Sequence, residues 1–314
     1  MQKNYAFGVD LGGTTVKMGL FKTDGTLADM WEIPTRKEEN GKFILPDIAE
    51  AIKNKLDEKN ISKDEVQGVG LGVPGPIGDD GTVFQCVNLG WGIFNVEKTL
   101  SELTGFAVKV GNDANVAALG EMWQGGGKGY KSIVMVTLGT GVGGGIIING
   151  NILSGANGAA GEIGHMCVND DDDFVCGCGN TGCLETYSSA TGIVRMTKKY
   201  LEQNPEVTTV LRDIENLQAK DIFDAAKQGD NVAIQQGEQV GKYLGKALAS
   251  IACVVNPEAF VIGGGMARAG EILMESIRRN YKKLAFHACR ETEFKYATLG
   301  NSAGIYGSVY MILK

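Results

Sequence analysis

The sequence predicts an α/β protein of about two domains built by internal duplication, and three observations predict it. Short β-branched apolar runs alternate with segments whose apolar residues recur every three or four positions, the pattern of strands feeding helices. A strand, a Gly/Thr turn and a returning strand occur near the N-terminus and again after Ser132, as a duplicated unit would leave them. A chain of 314 residues is long enough for two cores.

Composition narrows the function classes. With 43% hydrophobic and 21% charged residues the chain is an ordinary globular protein. A net charge of −7 argues against a sequence-independent grip on nucleic acid or anionic membrane, which needs clustered Lys and Arg. The N-terminus enters a strand at once, without a basic leader and cleavage site, and no uncharged apolar run reaches bilayer length. A cytoplasmic location is therefore expected. Among the seven cysteines, Cys86, Cys167, Cys253 and Cys289 are scattered, which suits reduced thiols.

Taken in order, residues 7–21 read as strand, turn and strand, with Val16, Met18 and Leu20 alternating on the second arm. The turn Gly12-Gly13-Thr14-Thr15 offers backbone N–H groups and hydroxyls beside Asp10, a set suited to phosphate and a cation, although such residues also make plain hairpins. A helix over 47–60 places Ile48, Ile52 and Leu56 on one face. Strand 66–73 ends at Pro74-Gly75-Pro76, and Asn95 caps the next helix, with Val96, Leu100 and Leu103 inward. Strand 107–110 delivers Gly111-Asn112-Asp113-Ala114-Asn115 to a helical run over 116–123. Asp113 thus stands at a mouth of an α/β sheet, where active-site groups collect. Taken locally, the pattern favours a plain N-cap.

Gly125-Gly126-Gly127 reads as a hinge or loop. Strand 132–138 runs into Gly139-Thr140-Gly141-Val142-Gly143-Gly144-Gly145, then a second strand and an Asn149-Gly150 turn. The stretch satisfies G-x-G-x-x-G, yet a dinucleotide fold needs a helix where a β-branched strand follows. Paired with the first turn, it gives one phosphate-facing hairpin per half. Helices over 188–203, 219–227 and 231–255 follow, the last stopped by Asn256-Pro257. A strand over 259–262 meets Gly263-Gly264-Gly265, where a ring or sugar can approach the backbone. Helix 271–283, strand 294–298 and helix 303–313 close the chain. The expected domains are 1–115 and 116–302, with the helix over 303–314 packing back on the first.

The densest chemistry lies between Gly161 and Glu185. Cys176, Cys178 and Cys183 fall within eight residues, eleven after His165, one of two histidines in the chain. Residue type and clustering make a Cys3His zinc set, with unpaired or disulfide-bonded thiols as the other reading. Glu162 and Glu185 flank the set, so a metal there would hold two carboxylates in fixed positions, as a polar substrate site requires. His287 has no such neighbours, and Asp170–Asp173 reads as a solvated loop.

Together these motifs resemble the ROK group of sugar kinases and sugar-responsive repressors. The resemblance covers essentially the whole chain and rests on Asp10-Leu-Gly-Gly-Thr-Thr, Gly111-Asn-Asp-Ala-Asn, Leu138-Gly-Thr-Gly, Gly161-Glu-Ile-Gly-His, the Cys176–Glu185 motif and Gly263-Gly-Gly. It implies the duplicated actin-like, hexokinase-like (ribonuclease H-like) fold, with a cleft between domains, and an ATP-dependent sugar kinase most similar to bacterial glucokinases. It further implies Asp113 as general base for the sugar 6-hydroxyl and Asn112, Glu162, His165 and Glu185 as sugar ligands. Asp10 would lie near Mg²⁺, Gly12, Gly13, Thr14, Thr15, Thr140 and Gly141 would hold phosphates, and Gly263, Gly264 and Gly265 would lie against adenosine. His165, Cys176, Cys178 and Cys183 would bind a structural zinc. A hexose and a nucleotide are the expected partners, with no nucleic acid or membrane, and a homodimer is expected. Kinases of N-acetylmannosamine, N-acetylglucosamine or another hexose share nearly all these motifs. The repressors carry an additional N-terminal helix-turn-helix, and here the first strand begins by residue 7.

Overall fold

The computed structural model of the chain describes residues 3–84, 86–171 and 173–314. Two five-stranded sheets organise it, and the second repeats the first. Strands β1 (Tyr5–Leu11), β2 (Thr15–Lys22), β3 (Leu27–Pro34), β4 (Val66–Val73) and β7 (Val108–Asn112) lie in the order β3-β2-β1-β4-β7. Strands β8 (Ile133–Leu138), β9 (Val142–Ile148), β10 (Asn151–Ile152), β11 (Ala259–Gly263) and β12 (Glu293–Tyr296) lie in the order β10-β9-β8-β11-β12. In each sheet the final three strands run parallel, β1-β4-β7 and β8-β11-β12. The duplication read from the two Gly/Thr hairpins is thus present at the level of strand order.

The chain forms two compact units. The first holds the residues up to Lys131 together with Gly145–Gly161 and Thr298–Lys314; the second holds Ser132–Gly144 and Glu162–Ala297. Besides its five-stranded sheet the first unit holds the short α1 (Glu38–Gly41) and a two-stranded sheet of β5 (Thr82–Val83) and β6 (Phe94–Asn95), and the larger sheet is covered on both faces. Phe7, Val9, Leu11, Val16, Met18 and Leu20 point to one face and pack under α2 (Ile44–Lys59) and α3 (Val96–Thr104). Ala6 and Phe21 face the other way, onto Ile305 and Val309 of α10 (Ala303–Leu313). This is the period-two alternation of a strand, expressed as two separate cores.

Helix α10 lies unusually close to its neighbours because glycines leave room for backbone. A Cβ on Gly70 of β4 would stand 1.7 Å from the Ser308 carbonyl oxygen, and one on Gly120 of α4 (Asp113–Gln124) 2.2 Å from that of Ala303. A Cβ on Gly307 itself would stand 1.7 Å from the Val116 carbonyl oxygen. Ser308 Oγ donates to the Val9 carbonyl at 2.7 Å, so even the polar group on this face is used. These contacts put α4 in the first unit, which therefore runs past residue 115.

Strand β3 is an element the hydropathy pattern did not announce. It is the sheet edge, alternately half-buried and exposed, and its polar residues serve pairing across the surface. Asp29 forms ion pairs with Lys55 and Lys59 of α2 at 3.1 and 2.9 Å, and Lys55 also caps the Trp31 ring at 4.6 Å. In the second unit, α8 (Asn231–Val255) packs on α9 (Glu271–Leu284), and Phe260, Tyr281 and Phe294 form an aromatic cluster with centroids 5.2–5.4 Å apart. Asn256 ends α8 in the left-handed conformation, φ 43°, as the Asn-Pro signal predicts. The remaining helices of this unit are α5 (Glu185–Ser188), α6 (Ala190–Gln203) and α7 (Ala219–Lys227).

Gly307→Ala separates two opposed effects. Helix propensity alone favours alanine by about 1 kcal/mol, whereas overpacking against unyielding backbone costs about 3 kcal/mol. The variant is expected to be destabilised by about 2 kcal/mol net in denaturant melts, and an unchanged or raised midpoint would show that α10 can slide away.

Candidate functional site

In the first unit, the acidic residues singled out from sequence come together at the C-terminal ends of parallel strands. Asp10 lies near the end of β1 and Asn112 at the end of β7. Asn112, rather than Asp113, is the N-cap of α4: its Oδ1 accepts the Asn115 amide at 3.1 Å, while its Nδ2 donates to the Gly75 carbonyl and to Asp113 Oδ1 at 3.1 and 3.2 Å. Asp113 is the first residue of the helix, with Oδ1 accepting the Ala114 amide at 2.8 Å. The plain-cap reading of Asp113 is thereby corrected, since the preceding residue already does that work. A carboxylate here is favoured by the helix dipole and held by its neighbour.

Asp10 pays electrostatically for its position. Burial, reinforced by the negative charge of Asp113 and opposed by Lys17, pushes its carboxyl up to about 6. Its carboxyl packs against Gly304 at the start of α10, where a Cβ would stand 2.4 Å from Asp10 Cγ. A buried acid beside a second acid is a place where a divalent cation fits by charge. The β1–β2 turn is closed by the Gly12 amide donating to the Thr15 carbonyl at 3.0 Å, and Thr35 Oγ1 donates to the Gly12 carbonyl at 2.7 Å. Gly13 and Thr14 are exposed, and a Cβ on Gly13 would meet no atom within 4 Å, so a ligand can reach this backbone.

The second unit holds the metal-ligand set. His165, Cys176, Cys178 and Cys183 form a group that offers one ring nitrogen and three sulfurs, all within 4.8 Å of one another. Cys176 Sγ is 3.7 Å from His165 Nδ1, and Cys178 Sγ is 3.6 Å from Cys183 Sγ. Those separations match the edges of a tetrahedron with metal–sulfur bonds of about 2.3 Å, roughly 3.8 Å apart. A disulfide needs about 2.05 Å, and all seven cysteines are free. The donor set therefore fits zinc and excludes the disulfide reading. The loop is tied locally: the Val168 amide donates to the Gly182 carbonyl and the Leu184 amide to that of Met166, both at 2.8 Å. Gly182 has φ +71° and no room for a side chain against the Asn169 carbonyl.

Both flanking carboxylates lie at this cluster. Glu162 Oε2 is 3.9 Å from His165 Nε2, and Glu185 Oε1 is 3.9 Å from Nδ1. The two ring nitrogens thus face different groups. Glu185 Oε1 also accepts from Cys176 Sγ at 3.1 Å, and Oε2 accepts the Val142 amide at 3.4 Å, which ties α5 to the turn after Gly141. His287 stands outside this cluster. Asp171 and Asp173 are exposed, Asp170 Oδ1 accepts from Cys167 Sγ at 3.0 Å, and Asp172 lies outside the described residues.

A cavity of about 1500 Å³ opens in the same unit. Gly139 and Thr140 of the second Gly/Thr turn line it, as does Gly265, while Gly263 and Gly264 directly precede it at the end of β11. Gly264 has φ +85° and presses on the Leu138 carbonyl, which brings the two glycine-rich strand ends together. Helix α6 contributes Thr191, Arg195 and Lys198 to the wall. Thr191 Oγ1 donates to the Thr140 carbonyl at 2.8 Å. Sequence reasoning passed over these residues. The signal was the basic face Arg195, Lys198 and Lys199 at i, i+3 and i+4, which reads equally as a solvated stripe.

The chain is similar to known proteins over nearly its whole length. The chain matches the ROK family over residues 6–314. It is 45% identical to a glucokinase of Halalkalibacterium halodurans, the alignment covering 99% of this chain and 96% of that one. It is 33% identical to an N-acetyl-D-glucosamine kinase of Yersinia enterocolitica, covering 98% and 99%. A solved ROK family glucokinase from Streptomyces griseus in complex with glucose and AMPPNP superposes with a TM-score of 0.73 at 32% identity, covering 98% of each chain. With strand order, motif placement and full-length similarity in agreement, the chain belongs to the ROK family and has the two-domain actin-like fold of its sugar kinases.

Proposed function

We propose that the protein is an ATP-dependent glucokinase, transferring the γ-phosphoryl group of ATP to the 6-hydroxyl of glucose. The observation that carries this reading is the division of labour at the start of α4, where Asn112 caps the helix and Asp113 is held beside it. A sugar hydroxyl is a poor nucleophile at neutral pH, and Asp113 accepts its proton as the O–P bond forms. Asn112, Glu162, His165 and Glu185 bind the sugar hydroxyls, with His165 using Nε2 for sugar and Nδ1 for the metal. Gly12–Thr15, Thr140 and Gly141 hold phosphates through backbone N–H groups and hydroxyls, and Gly263–Gly265 lie along the adenosine, a role supported by Gly265 and Thr140 lining one cavity. Asp10 would hold a magnesium ion nearby, which would supply positive charge to the phosphoryl oxygens. His165, Cys176, Cys178 and Cys183 would hold a zinc ion, and its role would be structural, because four protein ligands leave no open position.

A second reading, phosphorylation of an N-acetylhexosamine, is favoured by the similarity to the Yersinia enterocolitica kinase. Initial rates with ATP across glucose, mannose, fructose and the N-acetylhexosamines decide between them, glucose being expected to give the highest kcat/KM. In the same assay Asp113→Asn is expected to lose at least about 10²-fold in kcat with sugar affinity nearly kept. Near-normal turnover of the folded variant would remove Asp113 from the chemistry.

The raised carboxyl of Asp10 gives a pH-dependent prediction. The folded state keeps this proton up to about pH 6, whereas an exposed aspartate releases it near 3.8. Stability is therefore lost as pH rises from about 4 to about 6, and the ionised side chain remains a burden above that range. Without metal, Asp10→Asn should be more stable than the parent at neutral pH by about 1–3 kcal/mol, with the gain vanishing near pH 4. ATP-dependent turnover should collapse. Equal melting of the two proteins at neutral pH would show that Asp10 is not strained.

Metal analysis of the purified protein should find about one zinc per chain. Cys178→Ser should release it, lower the melting temperature, and raise KM for the hexose more than KM for ATP, since His165 and Glu185 both lean on the metal loop. Full activity with normal hexose KM in zinc-free protein would reduce the cluster to bystander thiols.

A further inference from the structure

Glu121 is completely buried, 0% exposed, in the last turn of α4, and it is wrapped in backbone amides from the segment that follows the helix and from residues 298–299, far away in the chain. Its Oε2 accepts the amides of Gly126 at 2.8 Å and Thr298 at 3.0 Å, and its Oε1 accepts that of Leu299 at 2.8 Å. Its own carbonyl accepts the amides of Gly125 at 3.1 Å and Gly127 at 2.9 Å. A Cβ on Gly125 would stand 2.0 Å from Oε2. The Gly125-Gly126-Gly127 run, a hinge or loop by sequence, is thus folded around a carboxylate.

The two captured segments share a position in the architecture. The chain first leaves the first unit after Lys131, a few residues beyond Gly126, and, after an intermediate return over Gly145–Gly161, re-enters it for the last time at Thr298. A buried carboxylate is a costly way to join two loops, because desolvation is offset only when its oxygens are fully hydrogen-bonded. An apolar side chain would fill the same space but leave the amides of Gly126, Thr298 and Leu299 without this acceptor. What the carboxylate adds is direction, since amide hydrogen bonds fix where both segments meet α4. The same helix begins with Asp113, eight residues and roughly 12 Å earlier.

We propose that Glu121 is a positioning residue for phosphoryl transfer. It locks the two boundary segments to the helix that carries Asp113, so that any shift of those segments is passed along α4 to the base as a rigid displacement. The inference rests on Asp113 acting as that base. Small misplacement of a base costs rate far more than affinity, because alignment matters most in the transition state.

Two variants test it. Glu121→Gln keeps the volume but replaces an acceptor oxygen with an NH2 group facing amide donors. Gly125→Ala leaves the glutamate and pushes its carboxylate aside. In variants shown to be folded, kcat should fall at least about tenfold, with calorimetric affinities for glucose and a non-hydrolysable ATP analogue kept within about twofold. Amide exchange at Gly126, Thr298 and Leu299 should accelerate while exchange in β1 and β4 stays unchanged. Unchanged kcat, unchanged exchange at these amides, or a kcat loss matched by equal losses of both affinities would overturn the proposal. If Glu121→Gln does not fold, Gly125→Ala decides alone by the same criteria. Parent protein that phosphorylates no hexose would defeat the glucokinase reading, whereas the exchange measurement still judges the clamp independently of activity.

Discussion

The first unit depends on one steric constraint, the near-contact of α10 with the backbones of β4 and α4. Helices usually meet through side chains, with axes about 8–10 Å apart. Here Gly70, Gly120 and Gly307 remove the side chains, so carbonyl oxygens of one element rest where a Cβ would otherwise be. Each glycine within a helix forgoes about 1 kcal/mol of propensity. The return is close dispersion contact over most of the face and a helix that cannot rotate without collision. Everything attached to that face inherits its precision, including Ser308 on the Val9 carbonyl and Gly304 beside the Asp10 carboxyl.

That packing also sets the electrostatics. Asp10 is held with a raised pKa because α10 shields it from water and Asp113 adds its charge. A protein selected for stability alone would place an amide or an apolar residue there. Strain of this kind at a strand end is the usual mark of a site tuned for an ion that arrives with its substrate.

The second unit achieves precision by covalent proximity and ligand geometry rather than by packing of regular elements. Its loop between His165 and Glu185 has little secondary structure, yet two backbone pairings and four converging donor atoms define it. Glu185 illustrates the gain: its two oxygens reach a cysteine sulfur and the Val142 amide, joining the metal loop to the glycine turn at the end of β8. A carboxylate held at both ends has little rotameric freedom to lose when it meets a ligand.

Much of this was written locally in the chain. The helices over 219–227, 231–255 and 303–313 have the bounds that their periodicity and stop signals predict, because apolar spacing and caps act over a few residues. The Cys3His set was legible for the same reason, its ligands lying within 18 residues of one another. Strand β3 was missed because an edge strand shows half its side chains to water and reads as polar chain. Tertiary structure alone decided three matters. It made Asn112 the cap and Asp113 the neighbour, a distinction that depends on dihedral angles rather than residue type. It raised the Asp10 carboxyl, since burial under α10 joins positions almost three hundred residues apart. And it gave Glu121 its amides from Thr298 and Leu299, a partnership that no local pattern encodes, because a glutamate on a helix looks the same in sequence whether it faces water or the core.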